Sequence, residues 1–200
     1  MADHDIVVVG ASAGGVEALT NLVAALPADL PASLFVVLHV PATGTSTLPD
    51  ILSRSGPLPA SHAKDGEPIE QGRVYVAPPD HHLLLRDDHV HLARGPRENG
   101  HRPAVDPLFR SAAWEHSTRV VGVVLSGALD DGTAGLLAIK ARGGVAVVQQ
   151  PEDALYAGMP NNAIEHVEVD HVLPAAAIAG MLARLAAEPA SAPRAARTTN

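Results

Sequence analysis

Apolar runs bounded by turn residues recur along the chain, at residues 6–9, 34–38, 73–77, 120–125 and 145–149. They are rich in valine and mostly do not alternate with polar positions, which predicts strands buried on both faces of a parallel sheet. Between several of them apolar residues return at helical spacing, over 16–26, 103–116 and 133–141, and a last helical stretch covers 175–187. This alternation predicts an α/β fold, a doubly wound and mainly parallel sheet with helices on both faces. Residues 82–93, HLLLRDDHVHLA, break the pattern. Two short strand patterns flank Arg86-Asp87-Asp88 there, predicting an antiparallel hairpin appended to the sheet. No repeat or linker divides the chain, so residues 1–187 are expected to form one domain. Residues 188–200, polar and rich in Pro and Ala, are expected to form a disordered tail.

Composition narrows the chemistry. Hydrophobic residues make up 46% of the 200, yet only two Phe, two Tyr and one Trp are present, so Val, Leu, Ile and Ala must build the core. A formal charge of −8 with no concentrated basic patch predicts no nucleic-acid partner. The absence of cysteine excludes disulfides, thiolate metal sites and a cysteine nucleophile. MADHD lacks the form of a signal peptide, and no apolar stretch reaches the roughly 18–20 residues of a membrane span. A cytoplasmic chain without membrane insertion is therefore expected.

The stretch VVVGASAGGVEALTNLV, residues 7–23, joins a strand to a helix through a glycine turn. Such a turn presents backbone N–H groups to an anion, and a phosphate cradle is one reading. The details oppose it. Gly10 and Gly15 have P-loop spacing, but Val16-Glu17 stands where Lys-Ser/Thr is needed, and Ser12 replaces the second glycine of a dinucleotide fingerprint. The other reading is Gly10-x-Ser12-x-Gly14, a nucleophile elbow whose small neighbours let the serine project. Free N–H groups of Ala13 or Gly14 would then stabilise an oxyanion. A serine that merely caps the helix is the simpler alternative.

A serine nucleophile needs a base, and the base needs an orienting group. LFVVLHVPATG ends a Val-rich run with His39, and VVGVVLSGALDDGT delivers Asp130 and Asp131 from the end of another. Carboxyl ends of neighbouring parallel strands share one crevice. Each residue alone has a structural reading, the aspartates as helix caps. Together the three strand ends supply Ser, His and Asp to one edge. Their order differs from the Ser…Asp…His order of α/β-hydrolases.

GASAGGVEAL, VVLHVP, VYVAPPDHHL, HRPAVDPLF, LSGALDDGTAGLLAIKARGG and GMPNNAI, in this order over roughly residues 5–185, resemble the catalytic domain of the chemotaxis protein-glutamate methylesterases, the CheB family. The resemblance implies hydrolysis of γ-glutamyl methyl esters on receptor helices, with deamidation of receptor glutamines in some members. It implies Ser12 as nucleophile, His39 as base and Asp131 as orienting carboxylate. Asp131 is favoured over Asp130 because the family's carboxylate directly precedes the glycine, here Gly132. No cofactor is implied. The expected partner is a methylated chemoreceptor or another glutamate-methylated signalling protein, with a methyltransferase or a separate receiver protein as further partners.

The sequence departs from the family's pattern at three places. Ala13 stands where Thr is common, and Ala128-Leu129 replaces Met-Gly, altering the substrate groove or an oxyanion donor. The first strand begins near residue 5, so a preceding receiver domain is not expected. Regulation would come from another chain, or activity would be constitutive.

The segment His101-Arg102-Pro103-Ala104-Val105-Asp106 is expected along the cleft, with Arg102 facing acidic groups of a substrate helix or held in an ordinary ion pair. His81, His82, His89 and His91 raise a metal question, but no third ligand has suitable spacing, so no metal is expected. A non-catalytic interaction domain of a signalling complex is the alternative function, and a nucleotide- or phosphate-binding domain a weaker one.

Overall fold

The computed structural model describes residues 4–188. Its main sheet has seven strands, all pairing in parallel. In chain order they are β1 (Ile6–Ala11), β2 (Ser33–Leu38), β3 (Ala60–His62), β4 (Val74–Val76), β7 (Val120–Val124), β8 (Val145–Gln149) and β9 (His171–Leu173). Across the sheet they run β3-β4-β2-β1-β7-β8-β9. A separate antiparallel pair, β5 (His82–Arg86) and β6 (His89–Ala93), forms the predicted hairpin.

The strand sequences explain the layering. In β1, Val7 and Val9 face one apolar cluster while Ile6 and Val8 face the other, and all four are buried. Apolar residues at every position are what a centrally placed parallel strand requires. The first cluster takes in α1 (Gly15–Ala24), α2 (Leu48–Ser55) and α6 (Ala175–Ala187). The second takes in α3 (Val105–His116), α4 (Thr133–Ala141), α5 (Gly158–His166) and the hairpin residues Leu83, Leu85 and Val90. The hairpin packs on α3, so it adds apolar cover without joining the main sheet.

Two α-helices and two edge strands lie outside the predicted pattern. The helices α2 and α5 are eight and nine residues long, and each carries a proline in its first turn. Each mixes its few apolar residues with Pro, Ser, Asn or charged ones, which leaves no sustained apolar stripe. Strands β3 and β9, three residues each, sit at the two edges of the sheet and are only partly buried. Edge position removes the apolar signature that identified the central strands. The predicted tail lies outside the described residues, apart from Glu188. No helix among the described residues is long and apolar enough to cross a membrane.

At the amino ends of β1 and β7, Arg119 donates to both carboxylate oxygens of Asp5, at 2.8 and 2.9 Å. The carboxyl ends, opposite, carry the polar cluster described next.

Candidate active site

The winding of the sheet reverses at β1. Strands β2, β4 and β3 lie to one side and β7, β8 and β9 to the other, so a crevice opens at the carboxyl ends of β1, β2 and β7. Three side chains meet there. Ser12 directly follows β1, His39 directly follows β2, and Asp131 lies in the loop from β7 to α4. The Ser12 Oγ is 3.0 Å from Nδ1 of His39, and Nε2 of the same ring is 2.6 Å from Oδ2 of Asp131. The imidazole and carboxylate are nearly enclosed, with side chains 6% and 2% exposed, whereas Ser12 is only half-buried and open to the cleft.

The protonation pattern follows from the donors around Asp131. Burial by itself would raise its pKa. Hydrogen bonds from His39, the Val105 amide, the Asn99 side chain and the Asp106 amide outweigh burial and hold the carboxyl below its usual range. An ionised carboxylate only accepts, so Nε2 of His39 carries the proton. The lone pair of Nδ1 then accepts from the Ser12 hydroxyl. This is the tautomer a general base needs.

Neither Ser12 nor Asp131 caps the helix that follows it, and Asp131 instead accepts from the first two amides of α3, Val105 at 2.7 Å and Asp106 at 3.1 Å. The N-cap of α1 is Gly14, with φ 72°, and no side chain caps that end. A Cβ at Gly14 would stand 2.7 Å from Oγ of Ser126 and 2.8 Å from Cβ of Leu155, so both the backbone conformation and the space require glycine. The N-terminus of α4 is capped from a distance instead. Oδ1 of Asp106, on α3, accepts from the amides of Gly132 at 3.1 Å and Gly135 at 2.6 Å. Burial pushes the Asp106 carboxyl above its ordinary pKa, and the charge of Asp131 adds to this while the donors oppose it. With Asp106 serving α4, Asp131 is left for His39 and the first amides of α3.

The serine turn is braced from β7. The Ser12 amide donates to the Ser126 carbonyl at 2.9 Å, and the buried Ser126 hydroxyl donates to the Ala13 carbonyl at 2.8 Å. The Ser126 amide in turn donates to Oε1 of Gln149, whose side-chain amide donates to Asp153. Gly127 supplies the clearance beside the nucleophile. A Cβ there would stand 2.1 Å from Sδ of Met159 and 2.9 Å from Cβ of Ser12.

Of the tentative oxyanion donors, Ala13 and Gly14 form the turn after Ser12, and their amides donate to no acceptor among the described residues. Ala128 is exposed in the loop after β7. Arg102 lines the cleft of ≈ 440 Å³ that contains Ser12, His39 and His101. Its guanidinium is nevertheless engaged, donating through Nε to Asp80 at 2.9 Å and through Nη1 to the Gly95 carbonyl at 2.7 Å. The hairpin histidines have local partners: His82 reaches the Pro96 carbonyl and His89 the Asp87 carbonyl. No metal-holding group of three or more His, Cys, Asp or Glu occurs among the described residues.

Sequence reasoning placed the segment 101–106 along the cleft but gave no role to Asn99, Ser126 or the Asp106 cap. The Asn99-Gly100 dipeptide, a strong turn signal, was the available clue. Leu129 is a separate case. It is 68% exposed and has φ 65°, at the position where the family resemblance places glycine. A left-handed conformation costs a non-glycine residue about 1–2 kcal/mol, more than the roughly 0.4–1 kcal/mol by which glycine enlarges the unfolded ensemble. Leu129→Gly is therefore expected to raise stability by about 0.5–1 kcal/mol, read as an increase of about 1–4 °C in Tm.

Residues 7–182 match the family model described as CheB methylesterase. A Leptospira interrogans protein, provisionally named protein-glutamate methylesterase/protein-glutamine glutaminase, is 38% identical over 92% of this chain and 95% of its own length. Protein-glutamate methylesterase/protein-glutamine glutaminase 5 of Anaeromyxobacter dehalogenans is 41% identical over 90% of this chain, which spans 51% of that longer protein. The crystal structure of the Thermotoga maritima CheB methylesterase catalytic domain superposes with a TM-score of 0.87 at 35% identity, covering 91% of this chain and 98% of that one. On this evidence the chain belongs to the CheB methylesterase family, a family of enzymes.

Proposed function

We propose that this chain is a serine hydrolase that demethylates γ-glutamyl methyl esters on chemoreceptors or related glutamate-methylated signalling proteins. The observation that carries the reading is the unbroken relay from Ser12 through His39 to Asp131, with spacings of 3.0 and 2.6 Å, at the floor of an open cleft. Nδ1 of His39 takes the Ser12 proton as Oγ attacks the ester carbonyl, and Asp131 stabilises the resulting imidazolium. The amides of Ala13 and Gly14 are the oxyanion donors in this reading. The imidazolium returns its proton to the leaving methoxide, releasing methanol. Water then attacks the acyl-enzyme, with His39 again as base, and a free glutamate remains. A glutamine substrate would follow the same cycle and release ammonia.

Support for a protein substrate comes from the surroundings of Ser12. Leu129, Leu155 and Tyr156, on the loops after β7 and β8, are 68%, 67% and 51% exposed. Exposed apolar side chains grouped beside a polar site suit a protein surface better than a small molecule. The test is incubation with a receptor cytoplasmic fragment carrying radiolabelled methyl esters. Volatile methanol is expected, and pretreatment with a fluorophosphonate should suppress it. Labelling of Ser12 without methanol release would reject the receptor ester as substrate and leave a serine hydrolase of other specificity.

A further inference from the structure

A four-residue turn reaches two members of the relay. Asn99 and Gly100 have φ 51° and 78°, and the amide and carbonyl groups of Glu98 and His101 are hydrogen-bonded reciprocally at 3.1 and 2.8 Å. Asn-Gly with both residues at positive φ is the preferred form of a tight two-residue hairpin turn. The turn is tied to α3 by Arg110, which donates to Oε2 of Glu98 at 2.6 Å.

Two side chains leave this turn toward the site. Nδ2 of Asn99 donates to Oδ1 of Asp131 at 2.7 Å and to Oδ2 of Asp106 at 2.9 Å. The ring of His101 lies on the ring of His39, with centroids 3.6 Å apart and planes 10° from parallel. We infer that the turn 98–101 is a positioning element for the proposed triad, with Asn99 fixing the Asp131 carboxylate and His101 fixing the plane of the His39 imidazole.

The physical reason lies in what two hydrogen bonds leave free. Ser12 and Asp131 hold the imidazole at its two nitrogens. Together they define an axis about which the ring can still rock. Rocking tilts the Nδ1 lone pair away from the Ser12 hydroxyl. A second flat ring against one face opposes that motion.

The charge state suits the task. Burial lowers the His101 pKa, the neighbouring His39 lowers it further, Asp131 opposes, and Arg97 lowers it again. His101 is therefore a neutral surface at neutral pH, on which the transient imidazolium of His39 can rest. In acid, its protonation sets a like charge against the ring that must itself become cationic.

The proposal rests on the triad reading, and fluorophosphonate labelling of Ser12 separates the two because it needs no assigned ester. Unlabelled wild-type protein would refute the triad itself. Given labelling, His101→Ala is expected to slow it by roughly 10–100-fold, and to lower kcat on the methylated fragment equally with KM unchanged. His101→Phe, which keeps a flat ring, should recover most of that loss. Asn99→Gly, suited to the positive φ, should slow labelling by about tenfold. The acid limb of the log kcat profile should be steeper for the wild type than for His101→Phe, which lacks the second ionisable ring. Labelling of His101→Ala at the wild-type rate, or His101→Phe no better than His101→Ala, would overturn the assignment.

Discussion

Ser12→Ala should lower methanol release by about 10⁵–10⁶-fold while leaving the melting temperature almost unchanged. The chemical half of the expectation follows from the relay. Without Oγ, no group at the end of β1 can form the acyl bond, and Nδ1 of His39 faces an empty position. A residual acceleration of roughly 10³–10⁴ over water would come from the oxyanion donors and from binding. The structural half follows from how the hydroxyl is used. It forms no cap on α1, whose N-cap is Gly14, and its one side-chain partner is His39. Removing it therefore strands no helix amide, and about 1 kcal/mol bounds the change in stability. Methanol release from a labelled fragment, with a thermal melt of the same preparation, reads both halves. Wild-type turnover by the alanine variant would exclude Ser12 as nucleophile. A cooperative melt lost with the activity would show that the serine holds the fold.

How much of this was legible in the sequence depends on the kind of signal each residue leaves. The central strands could be read because burial on both faces forces an almost unbroken apolar run along β1, β2 and β7, in which Ser33 is the one polar residue. The edge strands β3 and β9 carry no such pattern, and β9 is mostly exposed. Ser12, His39 and Asp131 could be found because each stands immediately beyond, or within one loop of, a strand that could be recognised. Whether Ser12 and Asp131 cap the helices that follow them could not be settled from sequence. That choice depends on Asp106, which reaches α4 from α3 across 26 to 29 residues of chain. Asn99 illustrates the same limit. An Asn-Gly pair announces a turn, but nothing local to it announces a carboxylate 32 residues away. Arg102 shows a third case, because its ion pair with Asp80 joins segments whose proximity only the folded hairpin region creates.

Asp131→Asn, the second large effect, is expected to cost about 10⁴-fold in kcat and also to destabilise the protein. Both losses have one origin, the number of donors aimed at this carboxylate. Oδ2 accepts from the Val105 amide at 2.7 Å and from His39, and Oδ1 accepts from Asn99 at 2.7 Å and the Asp106 amide at 3.1 Å. An asparagine must turn its NH₂ toward one of these pairs. Facing Asn99 and the Asp106 amide, it leaves buried donors opposed. Facing the Val105 amide and His39, it opposes that backbone donor and asks Nε2 to accept. Nδ1 then carries the proton and cannot take one from Ser12. Each buried donor left unpaired costs roughly 1–3 kcal/mol, or about 2–12 °C in Tm for a chain of this size. The pH dependence of stability supplies an independent check. Because the folded carboxyl of Asp131 is held below its usual range, its contribution is present above the unfolded value of about 3.9 and is lost as pH falls through the lower folded value. The asparagine variant lacks that titration, so its stability deficit relative to wild type should shrink in strong acid. Denaturant melts at neutral pH and near pH 3 measure the difference directly. A deficit that stays constant across that interval would mean that Asp131 is not the ionised anchor of His39.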